Sequence, residues 1–248
     1  MTGEDYKDVA IVTGAAGGLG QVIARRLAGE GLRVLITDID GDAADRVAQN
    51  IPGQVIAQAL DVRDPAQFEN AFAVAHARWG GVGLLVNNAA LTCTTPLFEI
   101  STEEFDAVIS VALKGCFVGC QVAGRRMRAQ HYGRIINIAS LAGQNGGSAT
   151  GAHYAAAKGG ILTLTKVFAR ALAPDGVTVN AISPGPLDLD SVRQLVKPDQ
   201  LETIIETIPA RTLGDPDYVA RFVSLLASPQ AVSAIGATFD INGGLYLR

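Results

Sequence analysis

Apolar runs of four to six residues alternate along the chain with longer amphipathic stretches, the pattern of short buried strands joined by crossover helices in a parallel sheet. The runs predict seven strands, at Val9–Thr13, Arg33–Asp38, Gln54–Ala59, Leu84–Asn87, Arg134–Ile138, Thr178–Ser183 and Thr238–Ile241. Helices fill most of the gaps. The two longest are predicted at Thr102–His131, opened by the capping-box pattern Ser101-Thr-Glu-Glu104, and at Ala152–Leu172, ended by Pro174-Asp-Gly176. One stretch breaks the alternation. Between about residues 186 and 211, apolar residues such as Leu187, Leu189, Val192, Leu201, Ile205 and Ile208 stand among polar ones in a segment too long for an ordinary connection. It reads as a substrate-binding lid or as a surface helix covering the sheet edge. The expected fold is a single-domain α/β unit over residues 1–248, a Rossmann-type doubly wound parallel sheet of about seven strands flanked by helices.

Composition supports one compact unit. At 248 residues, 48% hydrophobic and 18% charged, the chain is long enough to bury roughly three quarters of the surface it exposes when unfolded. No composition shift, repeat or low-complexity segment marks a second domain. The net charge of −4 leaves no sustained basic face, so neither nucleic acid nor membrane is expected as a partner. The start of the chain, Met1–Asp8, has no apolar signal core, and no run approaches the ~18 consecutive apolar residues of a spanning helix, which predicts a cytoplasmic protein. Three cysteines, Cys93, Cys116 and Cys120, make no disulfide framework. Cys116 and Cys120 share a helical face, but none of His76, His131 and His153 lies close in sequence, so buried thiols and no metal are expected.

The first predicted strand runs into Thr13-Gly-Ala-Ala-Gly-Gly-Leu-Gly20 and then into an amphipathic helix. A glycine-rich turn there lets backbone approach a pyrophosphate, whose charge meets free N–H groups and the positive helix end. The second strand ends at Asp38, eighteen residues after Gly20. A carboxylate in that place accepts the hydroxyls of an adenosine ribose and repels a 2′-phosphate, which favours NAD over NADP; otherwise Asp38 is a solvated strand end. Further on, Tyr154-Ala-Ala-Ala-Lys158 puts a phenol and an ammonium about one helical turn apart. A phenol holds its proton at neutral pH, and positive charge beside it favours the ionised form needed for proton transfer.

These motifs together resemble the short-chain dehydrogenase/reductase family, in its non-extended form, over essentially the whole chain. Thr13–Gly20 resembles the family's TGxxxGxG turn, Leu60-Asp-Val62 its adenine-holding segment, and Asn87-Asn-Ala-Ala90 its NNAG motif with Ala for the last Gly. Ile136-Asn-Ile-Ala-Ser140 carries the family serine, Tyr154 and Lys158 the active-site pair, and Asn180-Ala-Ile-Ser-Pro-Gly185 the segment past the nicotinamide. The resemblance implies that Ser140 hydrogen-bonds the substrate oxygen, Tyr154 transfers the proton, and Lys158 binds the nicotinamide ribose and favours ionisation of the tyrosine. It implies NAD binding by Gly14, Gly17, Gly18, Leu19, Gly20, Asp38, Asp61, Val62, Asn88, Ala89, Tyr154, Lys158, Pro184, Gly185 and Leu187, and a homotetramer in which the two long helices pair across two-fold axes. The small residues Ala155, Ala156, Ala157, Gly159 and Gly160 would give close packing there.

Three departures stand out. Ala112 occupies the position where the family usually has an Asn that helps hold a water for proton relay, Leu189 replaces a Thr that often contacts the carboxamide, and the Ser140-to-Tyr154 spacing is one residue longer than is common. His153, next to Tyr154, either lines the pocket or points elsewhere. The expected function is an NAD(H)-dependent oxidoreductase interconverting a small-molecule secondary alcohol and its ketone. A rival reading is a nucleotide-binding regulator or scaffold on the same fold that has lost turnover. The apolar 186–211 segment favours an uncharged or partly apolar substrate, while Arg193, Lys197 and Arg211 leave room for a carboxylate.

Overall fold

The computed structural model describes residues 5–147, 151–195 and 198–248. Seven strands, β1 (Val9–Thr13), β2 (Arg33–Asp38), β3 (Val55–Ala59), β4 (Leu84–Asn87), β5 (Gly133–Ile138), β6 (Val177–Pro184) and β7 (Thr238–Ile241), form one sheet in the order β3-β2-β1-β4-β5-β6-β7, with every neighbouring pair parallel. The order reverses between β1 and β4, and the crevice outside the carboxyl ends of strands at such a reversal is where α/β sheets bind ligands.

The helices are α1 (Gly18–Gly29), α2 (Gly41–Gln49), α3 (Pro65–Trp79), α4 (Thr102–Ile109), α5 (Gly115–Ala129), α6 (Ala142–Asn145), α7 (Ala152–Leu172), α8 (Asp190–Leu195), α9 (Pro198–Thr207) and α10 (Pro216–Ala227). Alternation along β1 divides the core. Val9 and Ile11 face a layer built from α3, α5 and α7, with Phe68, Phe72, Trp79, Met127 and Ile161. Ala10 and Val12 face the opposite layer with Ile23 and Leu27 of α1 and Val219 and Val223 of α10. Central strands buried on both faces read as continuous apolar runs, which is why the sequence reveals them so directly.

One expectation needs correction. The long helix predicted over Thr102–His131 is broken at mid-length by a π-helical turn, Ser110–Lys114, and ends at Ala129. By length and composition 102–129 could cross a bilayer, but 56% of its apolar window is buried inside the protein. Some of the small residues of α7 pack within the chain, where Ala157 is fully buried, while Ala156 is exposed. A Cβ on Gly160 would lie 2.7 Å from Leu113 of the π turn, and one on Gly159 would lie 3.2 Å from the carbonyl oxygen of Gly143.

The irregular segment forms α8 and α9, whose surroundings include a small separate cluster of Leu201, Ile208 and Leu213 packed with Val192, Ile205 and Leu245. Of its cations, Arg193 is paired with Asp188 and Arg211 donates to the carbonyl of Glu206. Lys197 lies outside the described residues.

Candidate active site

The carboxyl ends of β1 and β4 are latched together. The Thr13 hydroxyl donates to the carbonyl of Val86 (3.3 Å) and accepts from the backbone N–H groups of Asn88 (3.1 Å) and Ala89 (3.2 Å). The Asn88 amide donates back to the carbonyls of Thr13 (3.0 Å) and Gly14 (2.9 Å). The chain has to turn within this latch: Gly14 has φ +62°, and a Cβ there would lie 2.7 Å from Cα of Ala89. Gly20 is needed for a different reason, since a Cβ would lie 2.4 Å from the Gly14 carbonyl oxygen. Gly20 is therefore under the turn and not on the cleft surface. Gly17 caps α1 with no side-chain hydrogen bond, so the helix presents free N–H groups at its positive end.

Above this turn lies a cleft of about 660 Å³ lined by Gly14, Gly17, Gly18, Leu19, Asp38, Asp61, Val62, Asn88 and Ala89 among others. The Asp38 carboxylate is fixed at its rim by the N–H groups of Ala16 (3.1 Å) and Asp40 (3.2 Å). Asp61 is held by its neighbour Arg63 through both carboxylate oxygens (2.8 and 2.6 Å), and this guanidinium holds the carboxyl below the usual range. Leu19, Asn88, Ala90 and Thr92 also line a second space of about 220 Å³, which makes the two contiguous. There the wall is Ser140, Tyr154, Lys158, Pro184, Gly185, Leu187 and Leu189.

The polar groups of this wall come from different strands and helices. Ser140 follows β5, and its Oγ accepts the N–H of Ala142 at 3.1 Å. Tyr154 and Lys158 come from the first turns of α7. Lys158 is 2% exposed, its Nζ donating to the carbonyl of Ile138 at 2.6 Å and standing 5.5 Å from the centroid of the Tyr154 ring. A polar chain through the core fixes β4, β5 and α7 relative to one another: Asn87 Nδ2 donates to Asn137 Oδ1 (2.9 Å), Asn137 Nδ2 to Thr165 Oγ1 (2.9 Å), and Thr165 Oγ1 to the Ile161 carbonyl (2.8 Å). The arrangement sets a phenol, a hydroxyl and a buried ammonium around one small space, next to a longer cleft with a carboxylate at its far end.

A family model described as enoyl-(acyl carrier protein) reductase matches residues 14–246. The 3-oxoacyl-[acyl-carrier-protein] reductase FabG of Escherichia coli (strain K12) is 36% identical over 241 residues, covering 96% of this chain and 97% of that protein. The chain belongs to the short-chain dehydrogenase/reductase family. Another member, the 3-oxoacyl-[acyl-carrier-protein] reductase of Synechocystis sp., is 36% identical over 244 residues, covering 96% of this chain and 97% of that protein. A crystal structure of a proposed gluconate dehydrogenase from Agrobacterium tumefaciens superimposes with a TM-score of 0.89 at 32% identity, covering 96% of this chain and 95% of that one.

Within this short-chain dehydrogenase/reductase the three departures take definite places. Ala112 is fully buried in the π turn and offers no polar atom where the family Asn would stand. Leu189 lines the inner cleft, adding an apolar side chain to its wall. The longer Ser140-to-Tyr154 connection includes residues 148–150, outside those described. His153 turns away from the cleft: it is fully buried, its Nε2 lies 2.8 Å from Glu104 Oε1, and its Nδ1 accepts the N–H of Tyr154 at 2.9 Å. The capping box is thereby only half formed. Ser101 Oγ accepts the N–H of Glu104 at 3.1 Å, but the Glu104 carboxylate meets His153.

Proposed function

We propose that the chain is an NAD(H)-dependent oxidoreductase that interconverts a secondary alcohol and its ketone, with Tyr154 exchanging the proton at the substrate oxygen. The observation that carries this reading is the convergence of Ser140, Tyr154 and Lys158 on one wall of a cleft whose other end carries Asp38. The residues present fit a dinucleotide. Cβ atoms built on Gly17 and Gly18 would have no atom within 4 Å, so the backbone at the start of α1 is open to a pyrophosphate, and Asp38 stands ready for two ribose hydroxyls. When bound, the nicotinamide supplies the hydride acceptor or donor.

The chain's own residues do the rest. Ser140 donates a hydrogen bond to the substrate oxygen and orients it. Tyr154 gives its phenolic proton to that oxygen in reduction and takes it back in oxidation. The Lys158 ammonium, anchored to the Ile138 carbonyl, is a fixed positive charge that stabilises the negative charge developing on the phenolic oxygen. Gly14, Asp61, Val62, Asn88 and Ala89 line the adenosine half of the cleft, Pro184, Gly185 and Leu187 the nicotinamide half, and residues 186–211 serve as the lid.

The relatives are named for a 3-oxoacyl group on acyl carrier protein and for gluconate, a keto compound and a hydroxy acid. Leu19, Leu187 and Leu189 on the inner wall favour a substrate with an apolar portion. Steady-state turnover with NAD(H) across a panel of 3-oxoacyl thioesters, 3-hydroxyacyl thioesters, sugar acids and simple secondary alcohols tests the reading. Dinucleotide binding without turnover across the panel would favour the regulator reading, for which Ala112 is the supporting feature.

The assembly belonging to this reading is a homotetramer. Two separate faces carry exposed apolar side chains, Phe117 and Val167 on α5 and α7, and Tyr218, Leu225, Val232 and Leu247 around α10 and the end of the chain. Two faces of this kind suit closed symmetry with two distinct two-fold contacts. Light scattering at micromolar concentration is expected to give a mass near four times the 25.8 kDa of one chain, and a monomer mass would reject the assembly.

A further inference from the structure

Behind the reacting wall, three side chains distant in sequence converge. Cys93 stands in the loop after β4, Glu104 in the first turn of α4 and His153 in the first turn of α7, and a sulfur, a carboxylate oxygen and a ring nitrogen from them all lie within 4.8 Å of one another. The Glu104 carboxylate is bonded by His153, and this bond, with Thr95 and the Cys93 thiol also contributing, holds its carboxyl below the usual range. His153 forms a fully buried base, while Cys93 and Glu104 are half-buried and leave one side open. Gly151 makes the arrangement possible, because a Cβ there would lie 2.2 Å from the His153 ring.

We propose that Cys93, Glu104 and His153 bind one divalent cation of the zinc class, and that occupancy slows the step at Tyr154. A thiolate, an imidazole and a carboxylate suit a borderline-soft ion and not calcium or magnesium, which take all-oxygen shells. Zinc bonds of about 2.0–2.3 Å in tetrahedral geometry need ligand atoms about 3.4–3.6 Å apart. The His153–Glu104 contact of 2.8 Å opens by well under one ångström, and the Cys93 sulfur closes from at most 4.8 Å. Solvent supplies the fourth ligand on the open side.

The coupling to Tyr154 follows from where the ring proton sits. A backbone N–H can only donate, so the Nδ1 that receives the Tyr154 N–H is bare and Nε2 carries the proton that reaches Glu104. A cation on Nε2 displaces that proton, and the ring stays neutral by carrying its proton on Nδ1 instead. The Cys93 thiol loses its proton to solvent, so one proton leaves per ion bound. Nδ1–H then faces the Tyr154 N–H, donor against donor. The ring is confined beside Gly151, so the strain is relieved at the backbone of Tyr154, which keeps its second acceptor, the Gly151 carbonyl at 3.1 Å.

Cobalt(II) is the probe for the site. Titration of the intact protein is expected to give one ion per chain with a thiolate-to-cobalt charge-transfer band that is lost in Cys93→Ser, and calorimetry in two buffers of different ionisation enthalpy should show one proton released. Glu104→Gln keeps an oxygen to accept from His153 and is expected to weaken zinc binding about tenfold or more. A missing band, or one of equal intensity in Cys93→Ser, overturns the site. With a substrate from the panel, zinc is expected to lower wild-type kcat several-fold, while the ratio of rates with and without zinc stays near one in Cys93→Ser. Inhibition that persists in that variant, or binding at Cys93 with no change in kcat, overturns the coupling. The cobalt band needs no substrate, so the site is tested independently of the oxidoreductase reading.

Discussion

Tyr154→Phe is expected to lower turnover by about 10²–10⁴-fold while dinucleotide binding persists, because the substitution removes one oxygen and its proton and leaves the ring in place. The side chain is only half-buried and is one of thirteen residues lining the inner cleft, so loss of the hydroxyl leaves no cavity in the core. Binding, followed by quenching of the single tryptophan or by calorimetry, and turnover are measured on the same preparation. If turnover survives within tenfold, another group carries the proton and the role given to Tyr154 is wrong. Lys158 makes a useful contrast. Its ammonium is anchored in the core through the Ile138 carbonyl, so Lys158→Ala is expected to reduce both turnover and dinucleotide affinity and also to lower the melting temperature.

The second large effect concerns the choice of dinucleotide. Two unit charges about 4 Å apart near a protein surface interact with about 4 kcal/mol, which is nearly a thousandfold in binding, and solvent screening at the cleft mouth reduces this. The expected ratio of kcat/KM for NAD(H) over NADP(H) is therefore of the order of a hundredfold or more. Asp38→Ala should bring the ratio close to one, mostly by lowering efficiency with NAD(H), since the ribose hydroxyls lose their acceptor. The variant also frees the N–H of Ala16 in the glycine turn, so its NAD(H) affinity should fall as well. Equal efficiency with both dinucleotides in the wild type, or an advantage for NADP(H), would remove the basis for assigning NAD.

The inner strands were legible because they are buried on both faces: β1, β2 and β4 have the expected bounds, β5 begins one residue earlier and β6 extends one residue further at each end, while of the less buried edge strands β7 has the expected bounds and β3 begins one residue later. The cleft was legible because its chemistry sits in short contiguous motifs at strand ends. What escaped the sequence depends on contacts between distant positions. Asn87, Asn137 and Thr165 are separated by 50 and 28 residues, and nothing in the local pattern of any of them announces a shared chain of hydrogen bonds. The Cys93, Glu104 and His153 cluster escaped for the same reason, since a search for ligands beside Cys116 and Cys120 looks along one helix and not across three elements. Glu104 carried a misleading local signal, being placed for a capping box and used elsewhere. The π turn left no trace because Val108, Ile109, Val111, Ala112 and Leu113 form an almost unbroken apolar run, in which a slip of one residue changes no polar position.

That slip sets the phase of the whole helical rod. A π turn accommodates one residue more than the regular spiral, and each residue of an α-helix turns the chain by about 100°. The half before it points Ala107 toward the dinucleotide cleft and Glu104 toward His153, while the half after it turns Cys116, Cys120 and Met127 into the core. Five residues of π turn and four of α-helix turn the chain by about the same angle, so deleting one residue between Ser110 and Lys114 would leave a regular helix whose two halves still face as they do now. The same deletion within α4 or α5 would rotate one half against the other by about 100° and present either the cleft wall or the core layer to the wrong neighbour. A one-residue deletion should therefore lower the melting temperature far less inside the turn than on either side of it.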